Sequence, residues 1–184
     1  MPKIITENDI EQGIIRLLTE PEMGYSHVNC MTAEPETLPD GSGRSSKKQV
    51  VLPEVLRNAL GRLNPEIPAQ VLDRVAADLS AGKGTFDMIP VNYECYMSVL
   101  NGIEVEFSRN GRQTRDKVRL VDFSPGHCAQ NDFTVVSQLW IQGQYGFRRP
   151  DLILYVNGLP LVFIELKNSD IKLKSAYDKN LTSY

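Results

Sequence analysis

The sequence predicts an α/β protein with a mixed central β-sheet flanked by helices, and three observations lead to this prediction. Apolar residues recur at helical spacing in the segments before residue 80. Apolar and polar residues alternate, as they do in strands, in runs that follow residue 103. Asn157-Gly158 stands between two apolar, β-rich runs, and this pattern favours a hairpin because both residues tolerate the positive φ of a primed turn.

The helices are placed by their caps and apolar spacing. Thr6 is predicted to cap a first helix reaching about Glu20, with Glu7 and Asp9 where negative charge favours the helix dipole. A loop rich in Pro, Glu, Gly and Ser spans residues 31–46. Two core-facing helices follow, marked by Val51, Val55, Leu56 and Leu60 and then by Ile67, Val71, Leu72, Val75 and Leu79. Residues 92–101 are predicted to form a short helix that ends at Gly102.

The strands are predicted in the second half of the chain. One covers residues 103–107, and Asn110-Gly111 turns the chain into a return strand that continues through Val118, Leu120 and Phe123. Another is marked by Phe133, Val135, Leu139 and Ile141, and the last two are the runs that carry Asp151 and Glu165. A helix from Ser169 is predicted to close the sequence.

Composition limits the classes of function. A chain of 184 residues has room for one domain with a sizeable core, or for two small ones. The net charge of −3 argues against a constitutive nucleic-acid binder of the basic type. Cys30, Cys95 and Cys128 have neither zinc-ligand spacing nor an even count for disulfides, which suits a reducing cytoplasm. No apolar run approaches the length of a membrane span, so no membrane association is expected.

Asp151, Glu165 and Lys167 are the candidate site. Side chains alternate along a strand, so Glu165 and Lys167 are expected to share one face. Burying both charges beside the apolar run 161–164 would cost several kcal/mol per ion without compensation. A hard cation held by Asp151 and Glu165 would compensate, with Lys167 facing a water or an anionic substrate. The alternative is an exposed hairpin end with an ordinary ion pair, because a Glu-x-Lys triplet occurs by chance about once in a chain of this length.

The same residues carry a family resemblance. Pro150-Asp151 followed by Glu165-x-Lys167 resembles the PD-(D/E)xK nuclease pattern. More narrowly, the N-terminal region of type I restriction enzyme R (restriction, motor) subunits is similar to several blocks of this chain: Arg149-Pro150-Asp151, Asn157-Gly158-Leu159-Pro160, Ile164-Glu165-Leu166-Lys167-Asn168, Val121-Asp122-Phe123, Asn131-Asp132-Phe133-Thr134-Val135-Val136, Asp9-Ile10-Glu11 and Gly24-Tyr25. The resemblance is densest from Ile103 to Lys167.

The resemblance implies a restriction-endonuclease-like core, formed by residues 1–184 as a single domain, that cuts double-stranded DNA with Mg²⁺ and little sequence preference. It further implies that the chain is the N-terminal part of a longer polypeptide with a helicase-like motor, so that ATP is used only beyond this chain. Modification and specificity subunits are the implied partners. In the wider nuclease family a glutamine and a tyrosine follow the triplet on a DNA-positioning helix, and the matching positions here are Asn180 and Tyr184.

Roles follow from the chemistry of phosphodiester hydrolysis. Mg²⁺ prefers oxygen ligands, which Asp151, Glu165 and the backbone carbonyl of Leu166 would supply, while Lys167 orients the attacking water or stabilises charge on the phosphate. Glu11 borders the apolar stripe of the first helix and either reaches this metal site or is solvated. Arg148 and Arg149 directly precede the site and are candidate phosphate contacts, whereas the basic hairpin 109–119 is expected mainly as a solvated face.

Two other functions are compatible with this sequence. One is a non-catalytic, nuclease-like docking domain that binds DNA or partner subunits; the intact set of Asp151, Glu165 and Lys167 argues against it. The other is a stand-alone DNA-repair nuclease, which would require the natural gene to end near Tyr184. Metal-dependent nicking of supercoiled plasmid, compared with a Glu165→Ala variant, separates the nuclease functions from docking alone.

Overall fold

The computed structural model describes residues 6–81, 88–124 and 130–167. Within these residues the helices are α1 (Glu7–Leu18), α2 (Pro53–Leu63), α3 (Ala69–Ala81) and α4 (Met88–Asn101). The strands are β1 (Ser26–Asn29), β2 (Ile103–Arg109), β3 (Arg112–Val118), β4 (Phe133–Ser137), β5 (Ile141–Gly143), β6 (Gly146–Arg148), β7 (Leu152–Val156) and β8 (Leu159–Ile164). The helix predicted from Ser169 lies outside the described residues.

The chain forms two compact units that alternate along the sequence. Unit 1 comprises Met1–Val50, Phe133–Tyr155 and Pro160–Tyr184, and unit 2 comprises Val51–Asp132 and Val156–Leu159. Every predicted site residue that the structure describes falls in unit 1. That residues 1–184 act as a single nuclease domain stays a prediction.

A four-stranded sheet with the order β1-β4-β7-β8 is the frame of the candidate site. β1 runs parallel to β4, with Ser26 opposite Thr134 and Asn29 opposite Ser137. β7 and β8 are neighbours joined by the two-residue turn Asn157-Gly158, so they form an antiparallel hairpin. The sheet is therefore mixed and accompanied by helices, as the sequence predicts.

Helix α1 is fixed at its start by a capping box. The Thr6 hydroxyl accepts from the backbone N–H of Asp9, and the Asp9 carboxylate accepts from the N–H of Thr6. This start places Glu11, Ile15 and Leu18 on one buried face, because they are spaced by four and three residues. Ile15 and Leu18 form a core cluster with Val135 of β4 and Leu152 of β7.

Unit 2 has a core of its own, built from α2, α3 and the β2–β3 hairpin. In the hairpin, Glu106 lies opposite Arg115 and Glu104 opposite Lys117, and both pairs form exposed ion pairs. Such cross-strand pairs of opposite charge stabilise a hairpin modestly. The expectation that the basic hairpin is mainly a solvated face is consistent with this pairing.

The predicted Asn157-Gly158 turn is present and fully buried rather than solvated. Both residues have positive φ, 52° and 78°. The Asn157 side chain donates to the carbonyl of Leu120 at 2.8 Å and accepts from the N–H of Asp132 at 2.7 Å. All three of these residues belong to unit 2, so the turn is held there by an amide that satisfies buried backbone groups.

Several predicted strand boundaries were wrong. The return strand β3 ends at Val118 and does not continue through Leu120 and Phe123. β4 ends at Ser137 because Gln138 has φ +57°, which an extended strand cannot accommodate, so Ile141 lies in the separate hairpin β5–β6. Asp151 directly precedes β7, and Glu165 to Lys167 directly follow β8.

The apolar residues of β8 are less buried than an apolar run predicts. β8 is an edge strand, and Leu161, Val162 and Phe163 are 49%, 48% and 43% exposed. The side chains of Glu165 and Lys167 are 22% and 25% exposed. Burying these two charges therefore costs less free energy than it would in a fully apolar environment. The sequence-based reason for expecting a cation is correspondingly weaker.

The loop over residues 31–46 contains neither helix nor strand, as predicted, but a buried ionic cluster lies at its end. One carboxylate oxygen of Asp40 accepts from Arg44 at 2.8 Å and from Lys47 at 2.7 Å. The other accepts from the N–H of Ser42. Burial alone raises the pKa of the Asp40 carboxyl, but the hydrogen bonds from Lys47, Ser42 and Arg44 outweigh it and hold the pKa well below its usual range.

None of the helices in the described ranges combines the length and the apolar character that a membrane crossing requires.

Candidate active site

The two ends of the β7–β8 hairpin meet through Asp151. Its Oδ2 accepts a hydrogen bond of 2.6 Å from the backbone N–H of Leu166. Because Leu166 lies between Glu165 and Lys167, this bond fixes the Asp151 carboxylate against the backbone of the triplet. The hairpin positions both ends, since strands joined by a two-residue turn must return side by side.

Glu165 and Lys167 lie on the same side of the chain, as predicted. The Lys167 ammonium donates to Glu165 Oε1 at 3.0 Å, and both side chains are about three-quarters buried. The pair is thus neither fully solvated nor deep in the core. For a pair this buried, the cost of desolvation offsets much of the attraction between the charges, so stabilisation is a weak reason for its presence.

Glu11 of α1 is buried and lies close enough to Asp151 for their charges to interact. Only 8% of the residue is exposed, and its Oε2 accepts from the side-chain amide of Gln138 at 2.8 Å. The backbone N–H of Gln138 in turn donates to the carbonyl of Asp151 at 3.1 Å. Gln138 therefore connects the carboxylate of α1 to the backbone of Asp151, directly before β7.

The electrostatics show that these carboxylates share one region. Burial raises the pKa of the Glu11 carboxyl above its ordinary value, and the negative charge of Asp151 adds to the rise. The hydrogen bond from Gln138 and the charge of Arg149 oppose this rise without cancelling it. A site in which carboxylates disfavour one another's charge gains from a bound cation.

For Lys167, in contrast, the neighbouring carboxylates favour the charged form. Burial by itself lowers the pKa of the Lys167 ammonium, but the hydrogen bond and the charge of Glu165 outweigh that effect and raise the pKa. The carboxylates of Asp151 and Glu7 act in the same direction. Lys167 is therefore a cation at neutral pH in this structure.

Arg149 acts electrostatically on Glu11, and Arg148, the last residue of β6, precedes it; the two differ in their contacts. The guanidinium carbon of Arg149 lies 4.9 Å from the ring centre of Trp140, and the residue is exposed. Arg148 is half-buried and donates to the carbonyl of Phe147 at 3.1 Å. Arg149 is therefore the better presented of the two predicted phosphate contacts.

The residues present fit a magnesium ion only if substrate and solvent complete its shell. Asp151 and Glu165 offer two carboxylates, and the backbone of Leu166 stands between them. In the described part of the chain no three His, Cys, Asp or Glu side chains are arranged to hold a metal ion. Two carboxylates agree with the chemistry of Mg²⁺, which usually keeps several waters and binds through one or two carboxylates plus phosphate oxygens.

Asn180 and Tyr184 cannot be compared with the structure, and Gln138 was not predicted from the sequence. Asn180 and Tyr184 lie outside the described residues, so the predicted DNA-positioning helix stays a prediction. Gln138 was missed because a glutamine after an apolar strand is unremarkable in sequence. Its positive φ and its two hydrogen bonds single it out in the structure.

Comparison with known proteins shows the family to which this chain belongs. Residues 4–184 match the family model described as the type I restriction enzyme R protein N terminus. The chain belongs to this family, which confirms the resemblance seen in the sequence.

Two relatives illustrate the match. The type I restriction enzyme HindI endonuclease subunit of Haemophilus influenzae is 38% identical over 170 residues, covering 90% of this chain and 15% of that protein. The putative type I restriction enzyme MjaIXP endonuclease subunit of Methanocaldococcus jannaschii is 26% identical over 179 residues, covering 94% of this chain and 16% of that protein. The chain thus spans about a sixth of the length of these relatives, both of which are named as endonuclease subunits.

Proposed function

We propose that this chain hydrolyses phosphodiester bonds of double-stranded DNA in the presence of Mg²⁺, as the nuclease domain of a type I restriction R subunit. The observation that carries the proposal is the 2.6 Å hydrogen bond from the Leu166 N–H to the Asp151 carboxylate, which joins the Pro150-Asp151 segment to the Glu-x-Lys triplet. Membership of the R protein family supplies the biological setting. The site has little sequence preference of its own and acts in the cytoplasm.

Each residue of the group has a role in this proposal. Asp151, Glu165 and the backbone carbonyl of Leu166 would hold the ion, with water and phosphate oxygens completing its shell. Glu11 of α1 would add negative charge near Asp151. Mg²⁺ supplies Lewis acidity and a more acidic bound water when it is present. In the hydrolysis, water loses a proton as its oxygen bonds to phosphorus, the bond to the leaving oxygen breaks, and the leaving oxygen gains a proton.

Lys167 acts through its positive charge. Its raised pKa keeps the ammonium protonated at neutral pH, so it stabilises the anionic phosphate or orients the water rather than accepting a proton. In the structure it contacts Glu165 at 3.0 Å, within reach of the carboxylates that hold the ion. A lysine acting on charge is expected to tolerate no neutral replacement.

The DNA reaches the site through other parts of the enzyme. The chain has a net charge of −3, and phosphate binding relies on cations. We assign Arg149, held over the Trp140 ring, and Arg148 to local phosphate contact, with Asn180 and Tyr184 on the helix that follows. Modification and specificity subunits choose the site, and ATP drives a motor in the remainder of the R polypeptide.

The test compares wild-type and Glu165→Ala R polypeptide, each assembled with its modification and specificity subunits, on supercoiled plasmid with Mg²⁺ and ATP. We expect the variant to lose plasmid cleavage and to keep ATP hydrolysis. Glu104→Gln is the control, because Glu104 is a carboxylate in an exposed ion pair whose side chain is 82% exposed. Cleavage at the wild-type rate by Glu165→Ala would show that the nuclease centre lies elsewhere.

One observation favours the docking alternative. The described residues contain no group of three side chains placed to hold a metal ion. In addition, the Glu165 carboxylate already forms an ion pair with Lys167. If the domain only docks, Glu165→Ala would keep cleavage and would weaken assembly with the other subunits. Measuring complex formation beside cleavage separates the two functions.

A further inference from the structure

Residues 139–150 leave the four-stranded sheet and return to the candidate site. The backbone N–H of Gln138 donates to the carbonyl of Asp151 at 3.1 Å, so one hydrogen bond joins the two ends of this segment. Between the ends the chain forms the β5–β6 hairpin, which is paired over three residues in each strand. The hairpin therefore begins and ends beside Asp151, whose carboxylate contacts the Glu-x-Lys triplet.

Contacts at the base of the hairpin fix its position. Arg44 of the buried ionic cluster donates to the carbonyl of Trp140 at 2.9 Å, and the N–H of Gln142 donates to the carbonyl of Lys47 at 2.9 Å. The rings of Trp140 and Phe147 pack edge to face, with their centres 6.4 Å apart. The loop that contains the ionic cluster thus holds the hairpin in a defined place relative to the site.

The hairpin segment contains cations and no carboxylate. Residues 133–150 include no Asp or Glu, although Asp and Glu outnumber Lys and Arg by 23 to 20 in the whole chain. Arg149 is exposed, with its guanidinium carbon 4.9 Å from the ring centre of Trp140. In the β2–β3 hairpin, by contrast, basic residues pair with carboxylates across the strands, namely Arg115 with Glu106 and Lys117 with Glu104. Of the two hairpins, β5–β6 is therefore the one that has no carboxylates of its own to neutralise its cations.

The tip of the hairpin presents an aromatic ring to solvent. Tyr145 is 78% exposed, and the turn Gln144-Tyr145 lies between the paired residues Gly143 and Gly146. Because these glycines carry no side chains, the tip is narrow and can approach another surface closely. A single exposed aromatic residue is ordinary on a protein surface, but this one lies on the hairpin that begins and ends at the candidate site.

The dimensions of the hairpin match those of duplex DNA. A strand rises about 3.3 Å per residue, so Tyr145, six residues before Asp151, lies within about 20 Å of it. Consecutive phosphates of one DNA strand are about 3.4 Å apart along the helix axis, so the tip lies within about six base pairs of a phosphate held at Asp151. The major groove is about 12 Å wide and admits a two-stranded β-ribbon. A duplex bound for cleavage is therefore within reach of both Arg149 and Tyr145.

We propose that the β5–β6 hairpin is a docking element for duplex DNA, with Arg149 on the phosphate backbone and the Tyr145 ring in a groove beside the bond to be cut. The proposal rests on the proposed function for its substrate and adds a DNA-contacting surface to it. The Trp140 ring orients Arg149 by lying against its guanidinium. The hairpin thus supplies local positive charge in a chain whose net charge is −3.

Tyr145→Ala tests the tip in R polypeptide assembled with its modification and specificity subunits. We expect nicking of supercoiled plasmid in Mg²⁺ and ATP to slow at least about tenfold, because the phosphate at the site is held less accurately. The Mg²⁺ concentration for half-maximal cleavage and the melting temperature should match wild type, since Tyr145 is exposed and holds no ion. Tyr93→Ala, at a tyrosine of α4 that is 62% exposed, is the control and should nick normally. Wild-type nicking by Tyr145→Ala, or an equal loss in Tyr93→Ala, would overturn the proposal.

Arg149→Gln and Arg149→Lys test the cation. The glutamine variant removes the charge, whereas lysine keeps the charge and loses the planar group that stacks on Trp140. Nicking should therefore be fastest in wild type, slower in Arg149→Lys and slowest in Arg149→Gln. At limiting plasmid, the slope of log rate against log salt concentration should be smaller by about one for Arg149→Gln. An unchanged slope in Arg149→Gln would show that Arg149 contacts no phosphate.

A photocrosslink identifies what the tip of the hairpin contacts. Benzoylphenylalanine replaces Tyr145, or Tyr93 as the control, and the assembled enzyme is irradiated with labelled plasmid, Mg²⁺ and ATP. We expect position 145 to be joined to DNA and position 93 to give no DNA product. Joining of position 145 to a modification or specificity subunit would make the hairpin a protein-docking surface and overturn the proposal, as would equal DNA products from both positions.

Failure of this proposal is distinguishable from failure of the proposed function. If Glu165→Ala abolishes cleavage while Tyr145→Ala nicks at the wild-type rate, the nuclease assignment stands and the role of the hairpin is wrong. If Glu165→Ala cleaves normally while position 145 is still joined to DNA, the nuclease centre lies elsewhere and the DNA contact of the hairpin stands.

Discussion

Lys167 stands among more carboxylates than cations. The carboxylates of Glu165, Asp151 and Glu7 all raise its pKa, and Asp151 also disfavours the charge of Glu11. The local charge is therefore negative wherever these groups are ionised. That imbalance is an expected property of a site that binds a divalent cation and then a phosphate, since the ion reverses the sign of the local charge.

Replacing Lys167 by alanine should separate catalysis from binding. In the proposed function the ammonium acts on the water and the phosphate and is not a metal ligand, so cleavage by the assembled enzyme should fall about 10²–10³-fold. Cation affinity should change little, because Lys167 is not among the proposed metal ligands. Plasmid cleavage and calorimetry provide the measurements, and normal cleavage in Mg²⁺ and ATP would end the assignment of this lysine.

Glu11→Gln should make the metal-free protein more stable at neutral pH. The folded-state pKa of Glu11 is raised, so its contribution to stability is fully present below the unfolded pKa of about 4.3 and is lost as pH rises through the folded pKa. Glutamine does not ionise and avoids that loss. Melting temperatures of the two proteins should therefore diverge as pH rises above about 4, with the variant higher.

Added Mg²⁺ should narrow the difference between the two proteins, because a bound cation offsets the negative charge of Asp151 that disfavours ionised Glu11 in the wild type. Glu104→Gln, at a well-exposed position, should show no such divergence with pH. A wild-type protein that stays the more stable of the two at every pH would contradict the electrostatic account of Glu11.

At the scale of single elements, the β7–β8 hairpin depends on one glycine. A Cβ on Gly158 would lie 2.6 Å from the carbonyl oxygen of Leu52 and 2.7 Å from the backbone nitrogen of Leu56, distances that real Cβ atoms do not adopt. Neither group is a side chain that can rotate away. Because the hairpin sets where Asp151 and Glu165 meet, strain at its turn is expected to reach the site.

Gly158→Ala should destabilise the protein by about 2–5 kcal/mol, the sum of a left-handed backbone penalty and an overpacking penalty. Gly111→Ala is the matched control: it has the same φ of 78° but nothing within 4 Å of the added Cβ. The control should therefore lose only about 1–2 kcal/mol. Chemical denaturation of both variants measures the difference, and equal losses would mean that the clash is relieved.

The loop that contains Asp40 is stabilised by that residue's carboxylate, which forms ion pairs with two buried cations, Arg44 and Lys47. Asp40→Ala would leave Arg44 and Lys47 buried without their partner, which is expected to cost about 3–5 kcal/mol. The depressed pKa of Asp40 contributes stability above the unfolded pKa of about 3.9, and that stability is lost as pH falls through the folded pKa. Wild type and Asp40→Asn should therefore differ most above pH 5 and converge in strong acid, as acid titration of the unfolding free energy would show.

The elements predicted correctly are those whose sequence signals lie within a few neighbouring residues. The capped helix at Thr6, both amphipathic helices and the Asn157-Gly158 turn follow from spacing and turn chemistry within a few residues. β1 was missed because its four residues gain their structure from pairing with β4, more than a hundred positions later. Gln138 was missed for the same reason: its partners, Glu11 and Asp151, are remote in sequence.

At the scale of the whole molecule, the chain enters unit 2 twice. It leaves unit 1 after Val50, returns at Phe133, and leaves again only for Val156–Leu159. The first excursion connects β1 to β4, which are parallel neighbours and so require a crossover connection. Here that connection is large enough to contain α2, α3 and α4 with the β2–β3 hairpin.

This interleaving restricts how the protein can be divided or shortened. Excising residues 51–132 would remove Leu120 and Asp132, the partners of Asn157, together with Leu52 and Leu56, which lie against Gly158, and would expose the turn between β7 and β8 to solvent. Expressing 51–132 alone would leave those same backbone groups without the side chain that satisfies them. Over evolutionary time, the connection can therefore vary at its exposed loops, while the turn and the surface it contacts must change together.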